Sequence, residues 1–246
     1  MHLDTSIIKK FQKKGFMLVK NLLNEDEIKK FNNIFDQKRN IKLLNSEFEL
    51  SNKECWEFLI NNRLITHLKK LIGDEIYYMY DLNFVEHQIK NQEYGWHRDN
   101  PCRSTGVGPD WDNKKPYNVL TTITYMCSSE ETKSVLNVLP GSHLNKFKYS
   151  ASNIIRYSLN KLKNNYSKSK VSNIIKKFNG ERIHYNIGDC IIFFSSLYHM
   201  GESLCEVNNH TRRLIVSRFG GSGEHSENYV NYYLKHRKDQ ANKFNN

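Results

Sequence analysis

The chain has 246 residues, 12% of them aromatic and 26% charged, a composition that folds around a core of its own and excludes a disordered segment. No apolar run approaches the ~20 residues of a spanning helix, which excludes a helical membrane protein and membrane insertion. Net charge is +11, but the lysines are dispersed, with a modest cluster only between Lys146 and Lys177. Dispersed charge argues for compositional bias more than for a stripe that binds a polyanion.

Met1 to Lys20 has no basic stretch followed by an apolar one, so no secretory leader is expected. The cysteines Cys55, Cys102, Cys127, Cys190 and Cys205 are odd in number, widely spaced and free of C-x-x-C. This predicts reduced thiols in a cytoplasmic setting, with neither a disulfide framework nor a thiolate zinc site.

Residues 1–75 read as mostly helical support. Asn24 followed by Glu27 makes a capped start, and Ile28, Phe31, Ile34 and Phe35 recur at helical spacing. Ser51 with Glu54 is a second capping signal. It opens a stretch with Trp56, Leu59, Ile60, Leu64, Leu68 and Leu71 on one side, ending at Gly73. From Ile76 short β-rich runs follow: Asn83 to Ile89, Asn118 to Met126, Val135 to Leu139, Cys190 to Phe194 and Leu214 to Phe219. Few helices separate them, which predicts an antiparallel barrel or sandwich. The whole, 1–246, reads as one domain that is mainly β with flanking helices. Its core covers 76–220, with a Lys- and Asn-rich helical insertion or lid at about 144–179. Residues 221–246 add a last helix, carrying Tyr229, Val230, Tyr233 and Leu234, and a tail.

The chemistry concentrates in Trp96-His97-Arg98-Asp99. On an extended segment residues i and i+2 point the same way, so His97 and Asp99 present an imidazole and a carboxylate together. Far downstream, Gly188-Asp189-Cys190-Ile191-Ile192-Phe193-Phe194 reads as a turn and a buried strand that leads to His199. A second histidine at such a strand exit closes a facial triad of His97, Asp99 and His199, a ligand set that leaves open positions and suits non-haem Fe(II). Next comes Arg212-Arg213-Leu214-Ile215-Val216-Ser217-Arg218-Phe219. An arginine buried on this strand needs an anion, and its planar fork fits a carboxylate. A dicarboxylate co-substrate that chelates the iron at its other end supplies one. Arg212, Leu214 and Val216 share one face and Arg213, Ile215 and Ser217 the other, so periodicity leaves both arginines open. The turn Leu139-Pro140-Gly141-Ser142-His143 ends another strand. His143 is assigned a structural role, since the triad is complete without it.

Taken in order, H-R-D, L-N-V-L-P-G-S-H, the G-D-C-I-I-F-F strand before His199, and R-R-L-I-V-S-R-F resemble the phytanoyl-CoA dioxygenase family of Fe(II)/2-oxoglutarate oxygenases. The opening Gly15-Phe16-Met17-Leu18-Val19 is similar as well. The resemblance implies a double-stranded β-helix, that is, a cupin-like jelly roll. It also implies His97, Asp99 and His199 as iron ligands, and Arg212 before Arg213 as the 2-oxoglutarate contact. The family's Gly-Ser after the distal histidine is here Met200-Gly201, with Ser203 displaced. The activity implied is hydroxylation of a small organic substrate, with 2-oxoglutarate and O2 consumed and succinate and CO2 released. Asp99 favours hydroxylation, because halogenating relatives lack this carboxylate.

Residues 100–117, with Arg103, Trp111, Lys114 and Lys115, are expected to form one wall of the mouth, where the basic residues either suit an anionic substrate or are solvated loop charges. Two rivals stand beside this reading. Arg212 and Arg218 form R-x5-R, a pattern of nucleic-acid-repair oxygenases, although the long interval between His97 and His199 argues against nucleic acid as the partner. A non-catalytic jelly-roll binding protein is the other, and the intact triad argues against it. Zinc also accepts such ligands. Oligomeric state is not legible in the sequence.

Overall fold

The structure, a computed structural model, describes residues 5–39, 51–89, 96–99, 118–144, 180–205, 210–223, 226–228 and 230–231. The expected mouth segment 100–117, nearly all of the insertion at 144–179 and most of the last helix lie outside the described residues.

Helix α1 (Thr5–Lys14) buries Phe11. Gly15 then turns the chain, with φ +88, into strand β1 (Phe16–Val19). Helix α2 (Glu25–Arg39) starts at the expected capping box. Glu27 N donates to Asn24 Oδ1 at 2.9 Å and Asn24 N to Glu27 Oε2 at 2.8 Å. Phe31, Ile34 and Phe35 are buried on its inner stripe.

The next stretch is two helices rather than one. Helix α3 (Lys53–Leu59) is capped by Asn52, not Ser51, and helix α4 (Asn62–Ile72) by Asn61, whose side chain accepts from Arg63 N and Leu64 N. The break at Ile60–Asn61 resets the helical phase. Leu59, Leu64, Leu68 and Leu71 are buried, whereas Trp56 and Ile60 are exposed, against the expected core stripe. Gly73 ends α4 as expected, with φ +99.

Among the described residues, eight strands build two antiparallel sheets. Strands β2 (Ile76–Gln88), β3 (Val119–Tyr125), β6 (Cys190–Phe194) and β8 (Thr211–Gly221) join β1 in the order β1-β6-β3-β8-β2. After the short helix α5 (Ser129–Thr132), strands β4 (Ser134–Val138), β5 (Glu181–Ile183) and β7 (His199–Ser203) form the second sheet, β5-β4-β7. Beyond β7 a single bridge, His97 with His199, adds the H-x-D segment as one more rung. Strands β1, β5 and β7 were not legible as strands. The others were seen, and β2 and β8 are longer than the apolar runs that announced them.

Two main cores among the described residues follow from the period-two alternation. One lies between the large sheet and the helices and holds Ile192, Ile215, Phe219 and Phe84 against Phe31, Phe35, Phe58 and Leu68. The other lies between the sheets and holds Ile123, Ile191, Phe193 and Leu214 against Leu136, Val138 and Ile183. The architecture is a β-rich jelly roll with helices outside one sheet, as expected. No helix among the described residues is long and apolar enough to cross a membrane.

Two turns brace the strands around the site. Asp189, 1% exposed, accepts from Asn21 N and Asn186 N, both at 2.9 Å, which ties the start of β6 to the end of β1. His143 stacks on Phe194 with ring centroids 4.7 Å apart, and its Nε2 lies 2.9 Å from Gln12 O. A Cβ on Gly15 would lie 2.3 Å from His143 Nδ1 and 2.8 Å from a Leu197 methyl. Gly15→Ala is therefore expected to cost about 2–4 kcal/mol, strain plus overpacking. Gly73→Ala, with nothing within 4 Å of the new Cβ, costs only the backbone strain of about 1–2 kcal/mol. Urea unfolding of the two variants checks this; equal midpoints would contradict it.

Candidate metal centre

His97 and His199 face each other across paired strands. His97 N donates to His199 O and His199 N to His97 O, each at 3.0 Å. Directly paired residues point to the same side, and that side is the space between the sheets, where Val138 pairs with His199 from the other flank of β7. The two imidazoles sit with centroids 4.3 Å apart. Asp99 follows His97 by two residues on the same side, and its N–H donates to Ser195 O at 2.9 Å, which pins the segment to the end of β6.

The three side chains converge. Asp99 Oδ1 lies 3.7 Å from His97 Nε2 and 3.5 Å from His199 Nε2, and the three ligand atoms lie within 4.8 Å of one another. His199 is buried and its Nδ1 lies 3.0 Å from Leu197 O. A carbonyl only accepts, so Nδ1 carries a proton, and Nε2 is the nitrogen turned to the cluster. Burial alone would raise the pKa of Asp99. The charges of His199, Arg218 and His97 and a hydrogen bond from His199 outweigh it and hold the carboxyl well below the usual range. Two imidazole nitrogens and an ionised carboxylate oxygen are a donor set that fits a divalent transition metal.

Residues outside the triad hold it. Arg98, between His97 and Asp99, points the other way. Its Nη2 donates to Ser142 O at 3.0 Å and its guanidinium lies 4.2 Å from the Tyr198 ring centroid. Ser142 Oγ accepts from Tyr198 N at 2.8 Å. The P-G-S-H turn thus clamps the H-x-D segment and the approach to His199 together, which gives this turn a structural role. His143 stays on its helix-facing side and is no member of the cluster. Neither Arg98 nor Ser142 was singled out in the sequence; their adjacency to ligand motifs was the available signal.

The strand after His199 separates its two arginines. Arg213 lies on the helix-facing side, where Nε donates to Glu86 at 2.5 Å, Nη2 to Asp36 at 2.7 Å and Nη1 to Asn32 at 3.2 Å. Arg212 lies between the sheets, 7% exposed, with Nη2 3.0 Å from Nε2 of its cross-strand partner His87. Burial first, then the Arg212 charge, pushes His87 down to about 4, so a neutral ring meets the guanidinium. Tyr125 and Tyr185, stacked with centroids 3.4 Å apart, stand nearby. Burial raises both phenols, and the Arg212 charge opposes it. The structure therefore brings His97, Asp99, His199 and Arg212 to the interior and turns Arg213 away. Cys55, Cys127, Cys190 and Cys205 form no disulfide with one another. Burial pushes the Cys190 thiol up to about 12. Cys102 lies outside the described residues.

No family model matches the chain, and no curated protein matches it in sequence. Solved structures do match in fold. HygX from Streptomyces hygroscopicus, with nickel and 2-oxoglutarate bound, aligns at a TM-score of 0.66 and 12% identity, over 90% of this chain and 88% of that one. SnoN, a non-haem α-ketoglutarate-dependent epimerase from nogalamycin biosynthesis, aligns at 0.61 and 10%, over 88% and 81%. SnoK, a carbocyclase of the same biosynthesis, aligns at 0.60 and 11%, over 89% and 84%. The chain thus has the jelly-roll fold seen in these iron- and 2-oxoglutarate-associated enzymes.

The Arg213 contacts generate a stability prediction. Arg213→Met removes the guanidinium that Glu86 and Asp36 accept from, and chemical denaturation is expected to show a loss of about 1–3 kcal/mol. An unchanged midpoint would mean that these ion pairs contribute nothing.

Proposed function

We propose that the chain is an Fe(II)- and 2-oxoglutarate-dependent oxygenase of the phytanoyl-CoA dioxygenase type that hydroxylates a small organic substrate. The convergence of His97, Asp99 and His199 on one point inside the jelly roll carries this reading. The fold shared with HygX, SnoN and SnoK supports it. HygX is known with nickel, 2-oxoglutarate and hygromycin B bound, and SnoN with Fe3+, α-ketoglutarate and nogalamycin RO; a small-molecule substrate for this chain accords with both. SnoN is an epimerase and SnoK a carbocyclase, so hydroxylation rests on the chain's own residues and on the motifs quoted above.

Each residue has a role. His97 Nε2, His199 Nε2 and Asp99 Oδ1 hold the metal, and the Leu197 carbonyl fixes the tautomer of His199. Arg212 takes the distal carboxylate of 2-oxoglutarate, with the neutral His87 ring orienting its guanidinium. Tyr125 and Tyr185 wall that end and keep water from it, which strengthens the charge–charge contact. The bound iron with 2-oxoglutarate supplies the oxidising chemistry, in which 2-oxoglutarate and O2 become succinate and CO2 and one oxygen atom enters the substrate. His97 is the most exposed ligand, 42% against 4% for His199 and 14% for Asp99, and so marks the side from which substrate approaches.

Two measurements test this. Aerobic incubation with Fe(II) and 2-oxoglutarate is expected to release succinate slowly even without substrate, and His97→Ala is expected to release none. Equal succinate from both proteins would remove the triad from the reaction. Calorimetric 2-oxoglutarate binding to the Mn(II)-loaded protein is expected to weaken about 10–100-fold in Arg212→Ala, the worth of one charge-assisted pair, and to change little in Arg213→Ala. The reverse ranking would move the co-substrate contact to Arg213.

A further inference from the structure

A charge cluster of Asp81, which is buried, with the partly buried Arg218 and Asp99, lies against the candidate metal centre. Strands β2 and β8 pair in register from Gln88 with Thr211 to Leu82 with Ser217, and again at Tyr78 with Phe219. Between those pairs Met79, Tyr80 and Asp81 stand opposite the single residue Arg218. Such an irregularity bends a strand and re-aims a side chain. Here it delivers Asp81, 4% exposed, to the arginine. Arg218 Nη1 donates to Asp81 Oδ2, and Asn83 Nδ2 donates to Asp81 Oδ1 at 2.6 Å. The other terminal nitrogen of Arg218 lies 3.7 Å from Asp99 Oδ2. Asp99 is thereby divided: Oδ2 faces the guanidinium, and Oδ1 faces the two imidazoles at 3.7 and 3.5 Å.

We propose that Arg218 is a positioning residue for the metal centre. Held by Asp81, it keeps one oxygen of Asp99 turned to itself and leaves the other as the oxygen offered to the metal. The bulge in β2 exists in this account to place Asp81. A planar fork suits the task, since its two terminal nitrogens meet two carboxylates at once. The guanidinium also offsets repulsion between Asp81 and Asp99, two carboxylates that share one wall of the site. The inference rests on reading the triad as a metal site.

Cobalt(II) tests it, because its visible spectrum reports the number and kind of its ligands. The wild-type protein is expected to bind Co(II), and His199→Ala is expected not to. The double variant Asp81→Asn/Arg218→Met removes the pair without leaving a lone buried carboxylate. It is expected to bind Co(II) about 10–100-fold more weakly and with altered visible absorption, as the second oxygen of Asp99 becomes available. Arg218→Lys keeps the charge but not the fork, and restores the affinity only in part. Asn83→Ala leaves all charges in place and shifts the spectrum in the same direction by less. It carries the test if circular dichroism shows the double variant unfolded. Wild-type affinity and spectrum in a folded double variant, or an unchanged spectrum in Asn83→Ala, would overturn the positioning role. A wild-type protein that binds no Co(II) would instead overturn the metal reading, so the two failures are distinct.

Discussion

The backbone pairing of His97 with His199 is the constraint from which the site follows. Two residues that exchange both of their N–H···O bonds have Cα atoms about 5.5 Å apart and side chains on one side. Nothing else is needed to bring two imidazoles to one point. The third donor comes without a further element, because Asp99 is two residues on and the extended chain repeats in twos. The same arithmetic sends Arg98 to the opposite side, where Ser142 and Tyr198 hold it. One short segment therefore presents His97 and Asp99 inward and its own anchor, Arg98, outward.

Charge is sorted by the same alternation. Along β8, Arg212 and Arg218 are six residues apart and face the interior, whereas Arg213 faces the helices and is met there by Glu86 and Asp36. The R-x5-R spacing thus describes two cations on the interior face of β8. Each stands at its own station: Arg212 beside neutral His87, Arg218 between Asp81 and Asp99. Taking these charges out of water is expensive unless each is matched. The chain meets Arg218 with two carboxylates, and Arg212 is, in the proposed function, the cation that receives the dicarboxylate co-substrate.

Much of this was legible in the sequence where one residue type or one period decides the outcome. The Asn24–Glu27 box, the all-apolar β6 and the H-x-D spacing each encode their structure locally. What escaped was what depends on partners distant in the chain. Strands β5 and β7 are short and polar, and they exist because β4 offers them hydrogen bonds. Asn52 wins the cap over Ser51 because its side chain reaches Cys55 N, a contest between neighbours that a pattern does not rank. The division between α3 and α4 turns on Asn61, whose amide also donates to Glu27 of α2 at 2.9 Å. Arg212 and Arg213 were equivalent by periodicity, and the location of the helices decides which of them faces the interior. Asp81 was invisible, since a bulge shifts the very period from which its direction would be read.

The central claim is that His97, Asp99 and His199 form an iron centre that takes 2-oxoglutarate. It is tested most directly by anaerobic titration with Fe(II) and 2-oxoglutarate, followed in the visible region, which needs no knowledge of the substrate. The account predicts a weak charge-transfer band of the iron-bound keto acid that saturates near one equivalent per chain and is lost in His199→Ala. Folded wild-type protein that develops no band, or a band that survives in His199→Ala, would contradict it.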